Sequence, residues 1–141
     1  MTRHLNRHIT QTKINMTSEQ IFFYAMIGIM LIFYIRKQLL TRSLNNYSGT
    51  EAKQQVKAGS VLLDVRTAGE RKSSSIPTSI HIPVHELSSR LKELERHRNK
   101  EIICYCASGS RSVSAALKLK KAGFTVGNLK GGIGSWNFSN L

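Results

Sequence analysis

Hydrophobic and polar positions divide the chain into one uniformly apolar stretch near its beginning and a longer alternation of short apolar runs with amphipathic ones. Residues 21–35, IFFYAMIGIMLIFYI, carry no charge and no polar side chain beyond tyrosine, and they are apolar all the way round rather than on one face. A helix of that kind suits lipid or a deep core. Its fifteen residues give about 22 Å of helix against roughly 30 Å of hydrocarbon. Ser18 to Gln20 at one end and Leu39 and Leu40 at the other extend it, and Arg36 and Lys37 can snorkel. The pattern predicts a tail over 1–20, a membrane helix over 21–40 and a polar, turn-rich linker over 41–46. The rival readings are a soluble core helix and a secretory signal. Against the signal, Arg36 and Lys37 follow the apolar run at once, and RKQLLTRSLNNYSG contains no small-x-small cleavage pattern.

From residue 47 to 141 the pattern predicts one α/β domain. Ser48 and Glu51 form a capping box that opens a short helix, and Gly59 closes it. VLLDV reads as a buried strand and SIHIP as another that ends at Pro83. HELSSRLKELERHR reads as a helix with Leu87, Leu91 and Leu94 inward, and EIICY is the next buried strand. In RSVSAALKLKKAG, Val113, Ala116 and Leu117 mark the inner face of a helix, Lys118, Lys120 and Lys121 its last turns, and Gly123 its stop. FTVGNL reads as an alternating strand, and KGGIGSWN as a glycine turn leading to a tryptophan that closes the core. Such alternation implies a central parallel sheet flanked by helices, three layers in all, with ligands beyond the C-terminal strand ends.

One of those strand ends carries chemistry. CASGSR, residues 106–111, follows EIICY directly. Cys106 ends the strand, and Ala107, Ser108, Gly109 and Ser110 leave the backbone free to curl around the sulfur with its N–H groups inward. The loop runs into a helix N-terminus, where unpaired N–H groups and the macrodipole favour an anion and ease ionisation of a thiol. Arg111 adds a full charge. Together these residues describe an anion cradle around a thiolate nucleophile, with Ala107, Ser108, Gly109, Ser110 and Ser112 as its substrate-binding residues.

Composition narrows the picture. Cys104 and Cys106, the two cysteines of 141 residues, point to one side of a strand and sit too far apart to bridge easily, so a disulfide scaffold is excluded. Two cysteines are also too few for a zinc site, and we expect neither metal nor cofactor. His4 and His8, and His81 and His85, are spaced four apart, but the first pair lies in the tail and the second straddles Pro83. The 21 basic against 8 acidic residues would suit phosphate binding. Yet residues 1–46 hold six Lys/Arg against Glu19 and residues 47–141 hold fifteen against seven, with no interleaved aromatic platform. We therefore expect no nucleic acid, and read the charge as a solvated basic surface, attraction to anionic lipid or steering of small anions. Arg7 and Lys13 precede the apolar run while Arg36, Lys37 and Arg42 follow it, which points the domain to the cytoplasm. Met16 is an alternative start that would strengthen this orientation.

LLDVRTAGE, SIPTSIHIP, CYCASGSRS and AGFTVGNLKGGIGSWN resemble, in order and spacing, the motifs of the rhodanese domain over about residues 47–137. The resemblance implies a rhodanese-like fold and a sulfurtransferase. Its cysteine takes a sulfane sulfur from a small anionic donor such as thiosulfate, holds it as a persulfide, and passes it to a thiol, a protein or cyanide. The family's cysteine and arginine match Cys106 and Arg111; its DVR…E pattern matches Asp64, Arg66 and Glu70, which we read as loop-ordering residues. Two departures concern the pocket rim: Arg71 stands where the family has an aromatic, and SSIPTS where it has GHIPGA. Two rival activities remain: a tethered binding module without turnover, and a phosphatase or arsenate reductase, whose loops carry one more residue between cysteine and arginine.

Overall fold

The computed structural model describes residues 17–138 and divides into two units, one ending at Arg36 and one beginning at Lys37. Helix α1 spans Ser18–Arg42. Thr17 opens it with reciprocal bonds, its N–H donating to Gln20 Oε1 at 3.1 Å and its hydroxyl accepting from Gln20 N at 3.4 Å. The cap adds a turn ahead of the apolar run, so the candidate span is Ser18–Arg36, 19 residues of mean hydropathy 1.6. That length corresponds to about 28 Å of helix. By length and composition this helix can cross a membrane, and a signal sequence meets the same criteria. Its apolar side chains are exposed, Phe22 at 70 % and Met30 at 72 % among them. His4, His8, Arg7, Lys13 and Met16 lie outside the described residues.

The second unit holds five parallel strands: β1 (Asn45–Tyr47), β2 (Val61–Asp64), β3 (Ile80–His81), β4 (Ile102–Tyr105) and β5 (Val126–Leu129), in the order β1-β5-β4-β2-β3. Alternate strand residues serve two cores. Leu63, Ile102, Cys104 and Val126 pack with Ala115, Ala116 and Leu119 of α4 (Ser110–Lys121) and with Leu87 and Leu94. Leu62, Ile103, Tyr105 and Leu129 pack with Ala52 of α2 (Gly49–Lys57) and with Ile133 and Trp136 of α5 (Gly132–Phe138). Helices thus flank a central parallel sheet, as the sequence predicts, and both halves of the Ser48–Glu51 capping box are present.

Several local expectations need correction. The expected linker 41–46 is instead the end of α1 followed by the start of an edge strand, Asn45–Tyr47. Leu44 is buried in the core, and the Tyr47 hydroxyl donates to the Glu101 carboxylate at 3.0 Å. Three residues that owe their conformation to β5 carry no alternation of their own. HELSSRLKELERHR is no α-helix but a set of turns leading to a 3-10 helix at Leu91–His97. The Ser89 hydroxyl bonds back to Glu86 O at 2.8 Å, and Arg90–Glu93 and Arg98–Glu95 pair at i,i+3, the spacing that 3-10 geometry eclipses. Its leucines still turn inward, Leu91 only in part. The inner face of α4 is Ser112, Ala115, Ala116 and Leu119, with Val113 and Leu117 half-buried at its margin. β5 is buried on both faces because α4 covers one side of the sheet and α2 and α5 the other, so its apparent alternation has no exposed side. The glycine turn is only Lys130–Gly131, after which GIGSWNF forms α5 with Trp136 half-buried. A short helix that the pattern does not suggest, α3 (Ala68–Ser73), is capped by Thr67 and Glu70.

Candidate active site

Parallel strands place the ends of β2 and β4 side by side, with Asp64 opposite Tyr105. Cys106 is the next residue. The chain then turns through Ala107 and Ser108, both exposed, to Gly109, whose φ of +101° is the left-handed conformation that glycine tolerates. Gly109 is the N-cap of α4, and its N–H donates to Cys106 Sγ at 3.0 Å. The loop has a second support that sequence reasoning missed. Ile133 N donates to Cys106 O at 2.9 Å, and a Cβ at Gly132 would run into the Cys106 and Ala107 carbonyl oxygens. The GG pair is therefore the buttress against which the cysteine loop closes.

Cys106 has no exposed surface. Burial acts to raise the pKa of its thiol, but hydrogen bonding from the Ser112 hydroxyl and from the backbone of Ser112, Gly109 and Ser108 prevails and holds it below the ordinary cysteine value. Cys104, on the same face of the sheet, has only burial and the neighbouring Cys106 thiol acting on it, and its thiol is pushed far up. Ser112 is buried, 3.6 Å from the sulfur, whereas the Ser110 side chain faces solvent.

Arg111 projects from the first turn of α4 and grips Glu70 with both arms, Nη1 to Oε2 at 2.8 Å and Nη2 to Oε1 at 2.6 Å. Glu70 Oε2 also accepts from Thr67 N at 3.0 Å and Thr67 Oγ1 at 2.9 Å. One carboxylate thus joins the start of α3 to the start of α4. The bonds from Arg111, and then those from Thr67, hold its pKa far below the carboxylate range. The pKa of Arg111 is raised by Glu70 first, and by Cys106 in the same sense.

Asp64 and Arg66 form a second, fully enclosed pair. Asp64 accepts from Arg66 N at 3.0 Å, Arg66 Nε at 3.0 Å and Arg66 Nη2 at 2.7 Å, and from the Tyr105 hydroxyl at 2.8 Å. Burial raises the Asp64 pKa, but these bonds outweigh it and the net direction is down. Arg66 Nη2 reaches on to Ser74 O at 2.7 Å. Arg71 donates to Ser79 Oγ at 3.0 Å and Ser79 O at 2.9 Å, and stands 3.5 Å from Asp64. It pins the SSIPTS segment by charge and hydrogen bonds in place of an aromatic ring. Within that segment Thr78 has φ +65°, a left-handed residue that is not glycine. The sequence signals for Tyr105 and Arg71 were present only as residue types; their partners are 41 and 8 residues away along the chain.

His81 Nε2 bonds Arg66 O at 2.9 Å, and His85 lies 3.4 Å from Glu86, so the two histidines serve different neighbours. No group of three or more His, Cys, Asp or Glu positioned for a metal occurs among the described residues.

A family model described as a rhodanese-like domain matches residues 48–139. A protein named sulfurtransferase from Allochromatium vinosum is 36 % identical over 77 residues, 54 % of this chain and 70 % of its own. The uncharacterized protein YqhL of Bacillus subtilis is 32 % identical over 120 residues, 82 % of this chain and 88 % of its own, a span that extends into α1. A crystal structure of a rhodanese-related protein from Thermoplasma volcanium superposes with a TM-score of 0.61 at 35 % identity, covering 66 % of this chain and 90 % of that one.

Proposed function

The chain belongs to the rhodanese-like domain family, and from that premise we propose that it is a sulfurtransferase in which Cys106 is the catalytic nucleophile. The observation that carries this reading is the loop itself. A thiol with a lowered pKa lies 3.0 Å from the Gly109 N–H at the start of a helix, with an arginine held beside it. The Cys106 thiolate attacks the outer sulfur of a thiosulfate-like donor. A bond forms between the two sulfurs, the donor's S–S bond breaks, and sulfite leaves with its electron pair. The persulfide retains the negative charge, which the N–H groups of Ser108, Gly109 and Ser112 face, an oxyanion-hole device applied to sulfur. An acceptor thiolate or cyanide then attacks the terminal sulfur, and Cys106 departs as thiolate. Because the sulfur is enclosed, donor entry requires the exposed Ala107, Ser108 and Ser110 to give way.

Arg111 stabilises donor and persulfide by charge, Glu70 holds it in place, and Asp64 and Arg66 fix the adjoining strand end. We propose that residues 21–40 anchor the protein in a membrane by a single pass, with the domain on the cytoplasmic side. The domain then begins at Leu44 rather than at residue 47, since Leu44 is buried in its core and β1 belongs to its sheet.

The test is intact mass after treatment with thiosulfate. One added sulfur atom is expected on the wild type and none on Cys106→Ser. Folded, reduced wild type that takes up no sulfur would favour the binding module. Hydrolysis of a phosphate ester, or reduction of arsenate, in its place would favour the oxyanion enzyme.

A further inference from the structure

Beneath the loop a line of polar side chains runs from the edge strand to the nucleophile. Asn46 Nδ2 donates to Leu44 O at 3.1 Å, Asn128 Nδ2 donates to Asn46 Oδ1 at 2.9 Å, and the Ser112 hydroxyl donates to Asn128 Oδ1 at 2.7 Å. Asn128 is 3 % exposed in the middle of the sheet, and Ser112 is fully buried. A buried amide on a strand otherwise filled by apolar residues is costly unless every group is partnered.

The direction of each bond follows from the first. A backbone carbonyl can only accept, so Leu44 O fixes the Asn46 amide with its nitrogen inward to the strand and its oxygen toward Asn128. Asn128 must then turn its nitrogen to Asn46 and its oxygen to Ser112. Ser112 has a single proton. It stands 2.7 Å from Asn128 Oδ1, 3.0 Å from Gly109 O and 3.6 Å from Cys106 Sγ. Asn128 Oδ1 is the nearest of these three acceptors and holds the proton while Cys106 is a neutral thiol; the sulfur, the farthest, draws it only as charge builds there.

We infer that Asn128 is a positioning residue that governs the nucleophile through Ser112, holding the hydroxyl proton away from Cys106 until the thiolate or persulfide competes for it. The inference deepens the sulfurtransferase reading and rests on Cys106 being its nucleophile. The other groups that bear on Cys106 are Arg111, already neutralised in part by Glu70, and the Cys104 thiol. The strand and turn behind it contribute Asn128 and the Ile133 N–H, neither of which titrates. Among the described donors to Cys106, Ser112 supplies the hydroxyl that can rotate, and Asn128 is the side chain bonded to it.

The experiment is the pH dependence of Cys106 alkylation by iodoacetamide in the full-length protein in detergent, read site by site by mass spectrometry. Asn128→Leu removes the nearest competitor for the Ser112 proton and leaves Gly109 O at 3.0 Å and the sulfur to share it, so the alkylation midpoint should fall by about half a pH unit, roughly threefold more thiolate at a fixed pH below it. Asn46→Ala, on the exposed edge, lets the Asn128 amide reverse and should shift the midpoint in the same direction, which keeps the test alive if Asn128→Leu does not fold. In a Ser112→Ala background neither substitution should move the midpoint. A midpoint unchanged or raised in folded Asn128→Leu and Asn46→Ala, or a shift that persists without Ser112, overturns the inference. Alkylation needs no sulfur donor, so the two failures are distinct: a wild type that takes up no sulfur counts against the sulfurtransferase reading, and an unmoved midpoint counts against this one.

Discussion

Cys104 and Cys106 are two residues apart, face the same side of the sheet, and have no solvent exposure. Their thiol pKa values are nevertheless shifted in opposite directions. Cys104 sits within the regular part of β4, where both neighbouring strands use up the backbone N–H groups, and nothing offsets the cost of charging it. Cys106 sits one residue past the strand end, where the chain turns back and its N–H groups face the sulfur. Burial is therefore not what separates the two thiols. What distinguishes them is whether the Ser112 hydroxyl and spare backbone N–H groups reach the sulfur.

The largest effect expected on that contrast is loss of the nucleophile. Cys106→Ser should abolish sulfur loading and transfer while leaving the fold intact, whereas Cys104→Ala should keep both and cost about 1 kcal/mol in a denaturant titration. In wild type, Cys106 should alkylate with a midpoint below the ordinary thiol value near 8.5, and Cys104 should resist until the protein unfolds. Sulfur loading that survives without Cys106 or requires Cys104 would break the contrast.

The two arginine–carboxylate pairs sharpen it next. Asp64→Asn leaves the guanidinium of Arg66, 3 % exposed, without its charge partner, and should cost about 3–5 kcal/mol of stability. Arg111→Ala removes a pair in which both side chains are about one-third exposed, so stability should change by under ~1 kcal/mol. Transfer should still fall about tenfold or more, because a charge-assisted contact to the sulfur anion is lost. Equal stability losses in the two variants would show that both pairs are structural. The pH dependence has a definite sign. The Asp64 and Glu70 pKa values are both lowered by folding, so their stabilisation is complete above the unfolded values near 4 and is lost as pH falls below them.

Gly132→Ala tests the buttress. Its φ of +64° and the contact with the Cys106 and Ala107 carbonyl oxygens should make the change cost about 2 kcal/mol, with sulfur loading slowed because the loop is displaced. Unaltered loading kinetics would detach the GG pair from the site. The smallest effect is a gain. Thr78→Gly relieves a β-branched residue at φ +65° and should raise stability by up to ~1 kcal/mol; a loss would mean that the Thr78 side chain makes up for its backbone.

Features carried by neighbouring residues were legible in the sequence: the strand that leads into Cys106, which stops one residue short of it, the small loop, the Ser48 cap, the parallel alternation and the arginine in the first turn of α4. The Thr67–Glu70 cap has the same spacing as Ser48–Glu51 and was equally available. Features that arise only when distant segments meet were not legible. Asn45–Tyr47 becomes a strand because β5 is there to pair with it, and Gly132 matters because the Cys106 carbonyl lies against it. Asn128 is an ordinary strand residue until Ser112 and Asn46 are set on either side of it. The 3-10 segment reads as a heptad of leucines, and only its i,i+3 charge pairs hint at the tighter winding.

Parallel strands also give the domain a direction. The polypeptide enters beside Ser43, whose carbonyl is held by Lys120 Nζ at 2.6 Å, and β1 begins level with the start of β5. Cys106 lies past the far end of β4, so the point of attachment and the thiol occupy opposite poles of one sheet. Whatever precedes Ser43 is thus joined at the pole away from the loop.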